Sequence, residues 1–377
     1  MKKDEILAEF GEVIKGPDNR YLQEWKKSGG RVMGYFCTYV PKELFTAAGF
    51  VPVRIRGAGS EDSGAADTYL SNRVCTFVRH ATSLALAERY DFLDGAVFLN
   101  TCDHVRRAND VWRAKTGLGF FGFLSVPRNA REALLPWYLE EVSNLKSQME
   151  EHFGIQVSED ALREAIQLHN QVRQRLITLN ELRGQDPPRL TGEEMLSIAL
   201  ASQLMPAAPF LERADELIAE LKNHPPEARP IRARVVVIGG ELDEPEFLRV
   251  IESQGAAVVA DNVCFSARSF SQMIPVEGNP LETICRGYFF NIPCARMIGG
   301  FPKRYEQIEA LVKKYQAKGV IFQRMKFCDP WGGEAHKMLH RKKTTGLHLL
   351  VLDREYGVIS TGQIKTRVQA FLETMGQ

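Results

Sequence analysis

The sequence reads as an α/β protein: two similar parallel-sheet domains joined by a helical segment. Three observations predict this. A strand, a short helix and a second strand follow one another over residues 31–55. The same order returns over residues 234–260. Between them lies a long stretch whose apolar residues keep helical spacing. The chain has 377 residues, of which 44% are apolar and 25% charged, with 48 Lys+Arg against 47 Asp+Glu. That length suits two or three domains with real cores, and the balanced charge gives no footprint for nucleic acid.

Arg31-Val32-Met33-Gly34-Tyr35-Phe36-Cys37 follows Gly29-Gly30 and reads as the first strand. Pro41 to Ala48 reads as a short helix. Proline presets φ for a first helical residue, and Gly49 stands where the residue past a helix end wants φ > 0. Val51-Pro52-Val53-Arg54-Ile55 is a strand that its proline places near a sheet edge. Gly95-Ala96-Val97-Phe98-Leu99-Asn100 is another strand, running straight into Thr101-Cys102-Asp103.

Helical spacing then takes over at Tyr138, Val142, Leu145 and Met149. Ser158-Glu159-Asp160 caps a second helix with Leu162, Ile166, Val172, Leu176 and Leu179 on one face. Thr191 with Glu194 makes a capping box for a third, and Pro209 opens a fourth. Three prolines between His224 and Pro230 end the segment. Beyond them, Arg234 to Gly240 is a strand into a glycine turn, Pro245 to Ile251 a helix and Gly255 to Ala260 a strand. Gly319-Val320-Ile321-Phe322 leads to Lys326-Phe327-Cys328-Asp329. The expected domains are residues 1–128, 129–228 and 229–377, the outer two of flavodoxin- or Rossmann-like type and related by an old duplication.

Both halves place Cys-Asp just past the carboxyl end of a buried strand, where open parallel sheets carry their sites. Facing domains would bring Cys102 and Cys328 into one cleft. The cysteines number seven, an odd count. The opening Met1-Lys2-Lys3-Asp4-Glu5 turns acidic where a signal peptide turns apolar, and no run of about 18 apolar residues could span a membrane. The expected location is cytoplasmic, where thiols are buried, bind metal or react before they pair as disulfides.

No Cys-x-x-Cys is present, which excludes ferredoxin-type ligand runs but not a cluster assembled from separate loops. Any one free cysteine has a plain reading as a small buried hydrophobe. Position argues otherwise for six: Cys37, Cys75, Cys102, Cys264, Cys294 and Cys328 lie at strand ends or in loops, whereas Cys285 reads as part of a helix. Glu43 reads either as a first-turn acid complementing a helix dipole or as a proton-transfer carboxylate beside Cys37. His104 is a solvated loop residue, a proton donor or a metal ligand. His340-Arg341-Lys342-Lys343 either ends a helix or grips the phosphates of a large acyl carrier. The chain has no P-loop, dinucleotide fingerprint, His-Glu-x-x-His or Gly-x-Ser-x-Gly motif.

Gly34-Tyr35-Phe36-Cys37-Thr38-Tyr39-Val40-Pro41-Lys42-Glu43-Leu44 resembles the opening motif of the benzoyl-CoA reductase and 2-hydroxyacyl-CoA dehydratase family. Cys75-Thr76-Phe77-Val78-Arg79, Asn100-Thr101-Cys102-Asp103, Asp261 to Arg268 and Lys326-Phe327-Cys328-Asp329-Pro330 resemble its later motifs in the same order. Thr361 to Glu373 is similar to its last helix. The resemblance implies an oxygen-sensitive iron–sulfur subunit, paired with a related subunit or with itself. Its electrons come from a separate ATP-hydrolysing iron–sulfur activator, which agrees with the missing P-loop. It implies that Cys75, Cys102 and Cys328 hold a four-iron cluster. Cys37, Cys264 and Cys294 would complete the six ligands of a sulfide-bridged double cubane. The favoured activity is reduction of an aromatic acyl-CoA thioester. The alternatives are ketyl-radical dehydration of a 2-hydroxyacyl-CoA, small-molecule reduction at a double cubane, and a non-catalytic scaffold.

Overall fold

A computed structural model describes residues 2–226, 230–357 and 361–375. Its eight described strands form two four-stranded sheets, parallel throughout. The first contains β1 (Arg31–Tyr35), β2 (Phe50–Arg54), β3 (Gly95–Leu99) and β4 (Phe120–Leu124), in the order β2-β1-β3-β4. The second contains β5 (Ala233–Gly239), β6 (Ala256–Asn262), β7 (Gly319–Met325) and β8 (Leu349–Arg354), in the order β6-β5-β7-β8. The two sheets have one topology, so the α/β reading with two similar domains holds.

Side chains alternate between the faces of a strand, and the cores follow that alternation. Ala96, Phe98, Val235 and Val237 belong to one apolar cluster, while Val97, Leu99, Val236 and Ile238 belong to the other. Each core therefore draws on both sheets instead of filling one domain. Burying strands on both faces is what makes them continuous apolar runs.

Four long helices lie between the sheets in sequence: Leu135–Phe153, Glu159–Arg183, Gly192–Ala201 and Ala207–Asn223. Ser158 caps the second, and Thr191 with Glu194 closes a full capping box on the third. The fourth opens two residues before Pro209, which sits in its first turn. The expected boundary between 228 and 229 lies outside the described residues. Ion pairs and hydrogen bonds bind the parts together. Arg173 of the second helix reaches Glu43, Arg183 reaches Asp261 at 2.8 Å, and Arg56 reaches Asp243 at 3.1 Å, all buried. No helix among the described residues is long and apolar enough to cross a membrane.

β4 and β8, both edge strands, carry no pattern that the sequence makes legible. Phe120-Phe121-Gly122-Phe123-Leu124 is short and has an interior glycine. That glycine is there for packing: a Cβ at Gly122 would lie 2.5 Å from Leu145.

Candidate iron–sulfur site

Three helices begin at cysteines. Cys75 is the N-cap of Thr76–Leu86, Cys102 of Asp103–Lys115 and Cys328 of Asp329–Thr345. An N-cap acceptor satisfies the amides that a helix leaves unpaired in its first turn. Here none of the three sulfurs makes a capping hydrogen bond, but the first-turn amides of Phe77 and Val78 at Cys75, His104 and Val105 at Cys102, and Trp331 at Cys328 favour the thiolate against burial. The positive ends of three helix dipoles thus meet at three thiols. Phe327, just before Cys328, takes the left-handed backbone conformation (φ 65°) and is half exposed.

Cys37, Cys264 and Cys294 are held differently. Cys37 and Cys264 lie two residues past β1 and β6, and Cys294 follows the helix Pro280–Asn291. Around them stand three buried arginines, Arg54, Arg268 and Arg296. Arg268 Nη1 donates to Cys264 Sγ at 3.0 Å, and its Nη2 reaches the carbonyls of Gly239 and Asn262 at 2.8 and 2.6 Å. Arg296 donates to the carbonyls of Pro127, Asn100 and Val126 and covers the Tyr39 ring. Arg54 donates to Thr38 and covers the Tyr35 and Phe265 rings. The Nε atoms of Arg54 and Arg296 are buried without a partner, and none of the three arginines pairs with a carboxylate among the described residues. Buried cations in this state call for an anion nearby.

One crevice joins the two groups. Its walls include Cys37, Cys75, Cys102, Cys294 and Cys328, together with His104, Glu241, Arg296 and Trp331. Cys264 does not line the crevice; its sulfur accepts from Arg268, whose charge also acts on Cys294. Burial pushes the thiols of Cys75, Cys264, Cys294 and Cys328 up, and that of Cys102 up to about 12. The Glu241 carboxylate adds to this at Cys75, Cys102, Cys264 and Cys328. Cys285 is fully buried in the helix Pro280–Asn291 and does not line the crevice.

His104 lines the crevice. Its Nδ1 accepts from the Cys75 amide at 3.2 Å, and its Nε2 lies 3.9 Å from the exposed Asp329. Glu43 does not line it. Its carboxylate is fully buried between Arg173 and the Tyr288 hydroxyl, the latter at 2.8 Å. Burial alone would raise its pKa, but Arg173, His169, Lys42 and that hydroxyl outweigh burial and hold it at about 2. A carboxylate so fixed ties the helix Lys42–Ala47 to the helix Glu159–Arg183. His340 to Lys343 falls in the last turns of Asp329–Thr345, where Lys342 and Lys343 complement the dipole.

Sequence reasoning misses Glu241 and the three arginines. A signal for Glu241 exists in the chain. Cys37 lies two residues past β1 with Pro41 four further on; Glu241 lies two residues past β5 with Pro245 four further on. The glutamate occupies the second domain's counterpart of the Cys37 position. Nothing in the spacing of isolated arginines signals that they are buried and unpaired.

Residues 37–375 match the model of the family described as 2-hydroxyglutaryl-CoA dehydratase, D-component. The chain belongs to that family. It is 24% identical over 374 residues to the (R)-phenyllactyl-CoA dehydratase beta subunit of Clostridium sporogenes, covering 99% of both chains. It is 26% identical over 374 residues to the lactoyl-CoA dehydratase subunit beta of Anaerotignum propionicum, covering 98% of both. It is 24% identical over 338 residues to a subunit of the benzoyl-CoA reductase of Thauera aromatica, covering 88% of this chain and 87% of that one. Members of the family are thus enzyme subunits, both dehydratases and reductases.

The donor set fits an iron–sulfur cluster. Thiolates are the soft ligands such clusters take, and five thiols line one crevice beside buried arginines that make no ion pair among the described residues. Among the described residues, no three His, Cys, Asp or Glu side chains close on a point tightly enough for a single metal ion. A cluster spreads its thiolates over several irons.

Proposed function

We propose that the chain is the iron–sulfur subunit of a low-potential reductase acting on an aromatic acyl-CoA thioester. The observation that carries this reading is the convergence of five thiols on one crevice, with Cys264 tied to the neighbouring Arg268 and with three buried arginines nearby that have no carboxylate partner among the described residues. Cys75, Cys102 and Cys328 would hold one part of the cluster, and Cys37, Cys264 and Cys294 the other. Bound there, it would supply single electrons at low potential.

The chain's own groups divide the remaining work. Arg54, Arg268 and Arg296 offset the negative charge of the thiolates. Helix ends at Cys75, Cys102 and Cys328 do the same with partial charges. His104, whose Nδ1 accepts from the Cys75 amide, would use its Nε2 for proton transfer at the crevice wall. Trp331 and Phe36 restrict water. The chain has no P-loop, so ATP hydrolysis belongs to a separate electron donor. A related subunit is the expected companion.

A second reading is dehydration of a 2-hydroxyacyl-CoA, favoured by the names of the phenyllactyl-CoA and lactoyl-CoA relatives. Anaerobic purification with iron and acid-labile sulfide counting tests the site. About eight irons per chain are expected if six cysteines bind, and about four if three do. Near-zero iron after anaerobic reconstitution would leave only the scaffold reading. Assays with activator and ATP, on benzoyl-CoA and on a 2-hydroxyacyl-CoA, then separate reductase from dehydratase.

A further inference from the structure

A second cavity, apart from the cysteines, lies where the edge strand β2 and the helix Lys42–Ala47 meet the helix Glu159–Arg183 and the turn after Gly192–Ala201. Its volume is about 250 Å³. Drug-sized ligand sites run to roughly 300–1,000 Å³, so this one suits a smaller molecule. Phe50, Pro52, Val172 and Met205 make most of the wall apolar, and the Trp25 indole is part of it.

Three polar groups interrupt that wall. Lys42 is 8% exposed, and its ammonium has no hydrogen bond or ion pair among the described residues. Glu43, its neighbour in the chain, is committed to Arg173 and Tyr288. His169 is 5% exposed; its Nε2 meets the Thr46 hydroxyl at 2.8 Å while its Nδ1 is buried without a partner. Gln203 is 3% exposed; its amide nitrogen donates to the carbonyls of Ala199 and Phe265, and its Oε1 has no partner. Unpaired polar groups in an apolar wall cost stability unless something meets them.

The chemistry of the missing partner follows from Lys42 alone, since the free Gln203 Oε1 and His169 Nδ1 have almost no accessible surface and an amide oxygen is not satisfied by a carboxylate. One ammonium calls for one negative charge. The apolar wall calls for an apolar body of a few carbons. Inorganic phosphate would need several donors at once, which the wall does not offer. We propose that this cavity binds a small organic monocarboxylate, its carboxylate on Lys42 and its body between Phe50, Pro52, Val172 and Met205. Burial, and next the Arg173 cation, lower the Lys42 ammonium to about 8, so it remains largely charged at neutral pH. The site stands independently of the cluster, because none of its groups faces the cysteine crevice.

Titration calorimetry on the full-length chain, with benzoate and hexanoate as probes, tests this. Both acids should bind and shift Trp25 emission. Benzamide, hexanamide and inorganic phosphate should not. Lys42→Met should weaken carboxylate binding about tenfold or more, the scale of one charge-assisted hydrogen bond. Val172→Phe, which fills the cavity but keeps the charge, should weaken it as well. Circular dichroism checks that both variants fold. No binding by either acid, equal binding of amide and acid, or unchanged binding in both folded variants would each overturn the proposal. Should one variant fail to fold, the other decides.

Discussion

The two α/β domains share one strand order but spend its equivalent positions differently. Past the third strand of each sheet, both place a cysteine that caps a helix, then an aspartate: Cys102-Asp103 after β3 and Cys328-Asp329 after β7. Past the first strand, one domain has Cys37 and the other Glu241. Past the second strand, one has Arg56, bonded to Asp243, and the other Cys264, bonded to Arg268. A symmetric scaffold has become a polarised cleft. Cys75, Cys102 and Cys328 stand at helix ends, Cys264 and Cys294 beside full cations, and the Glu241 carboxylate acts on Cys264 as well as on the first three. The repeated topology supplies the cleft, and departure from the repeat supplies its electrical direction.

The largest expected effect tests that division. Cys102→Ser or Cys328→Ser should remove about half or more of the bound iron, because each strips a thiolate that serine replaces poorly. Cys37→Ser should spare the iron held by Cys75, Cys102 and Cys328. Cys285→Ser should leave the iron content unchanged. Iron per folded chain, measured anaerobically, checks all four. If Cys285→Ser lost as much as Cys102→Ser, the assignment of six ligands and one spare thiol would fail.

The next effect concerns the helices after the first strands. Six residues past Cys37 stands Glu43, paired with Arg173; six past Glu241 stands the buried Phe247, with Arg354 over its ring. One domain fastens this helix with an ion pair and the other with an apolar side chain. Arg173→Met should cost about 3–5 kcal/mol in urea denaturation, because it strands a buried carboxylate. Adding Glu43→Leu should restore most of that loss by making the position resemble Phe247. The pH dependence carries a sign. The Glu43 pKa falls from its ordinary 4.5 to about 2 on folding. Its stabilisation is therefore complete above about 4.5 and is lost as the pH falls through about 2. Glu43→Gln should flatten the stability profile between those values.

The strand–helix rhythm is readable because buried parallel strands are continuous apolar runs and helices carry local caps. Ser158 and the Thr191–Glu194 box act within four residues of themselves, so sequence shows them. The edge strands β4 and β8 do not show, since a short edge strand needs no distinctive pattern. The five cysteines that line the crevice are legible by their place at strand ends and loops. Arg54, Arg268 and Arg296 are not, because what singles them out is burial without a counter-ion, and that exists only once distant segments have packed. The Glu43 ion pair is hidden for the same reason: its partner Arg173 is 130 residues away.

The smallest effect concerns the one place where the domains still agree. Asp103 and Asp329 each open a helix whose N-cap is a cysteine, and both are exposed, at 67% and 78%. A carboxylate in a first turn is worth about 0.3–1 kcal/mol against the helix dipole. Asp103→Asn and Asp329→Asn should each cost about that much in thermal or urea unfolding, and raised salt should shrink both losses through screening. Their neighbours differ: Asp103 lies 3.6 Å from Arg107 of its own helix, and Asp329 lies 3.9 Å from His104 of the other domain. Arg107 is a full cation within its own helix, so it adds to the dipole at Asp103. If the two losses match at pH 8, the helix dipole alone sets them, and the third-strand positions are equivalent in energy as well as in sequence. A larger loss for Asp103→Asn would show instead that Arg107, 3.6 Å away on the same helix, already breaks the symmetry there.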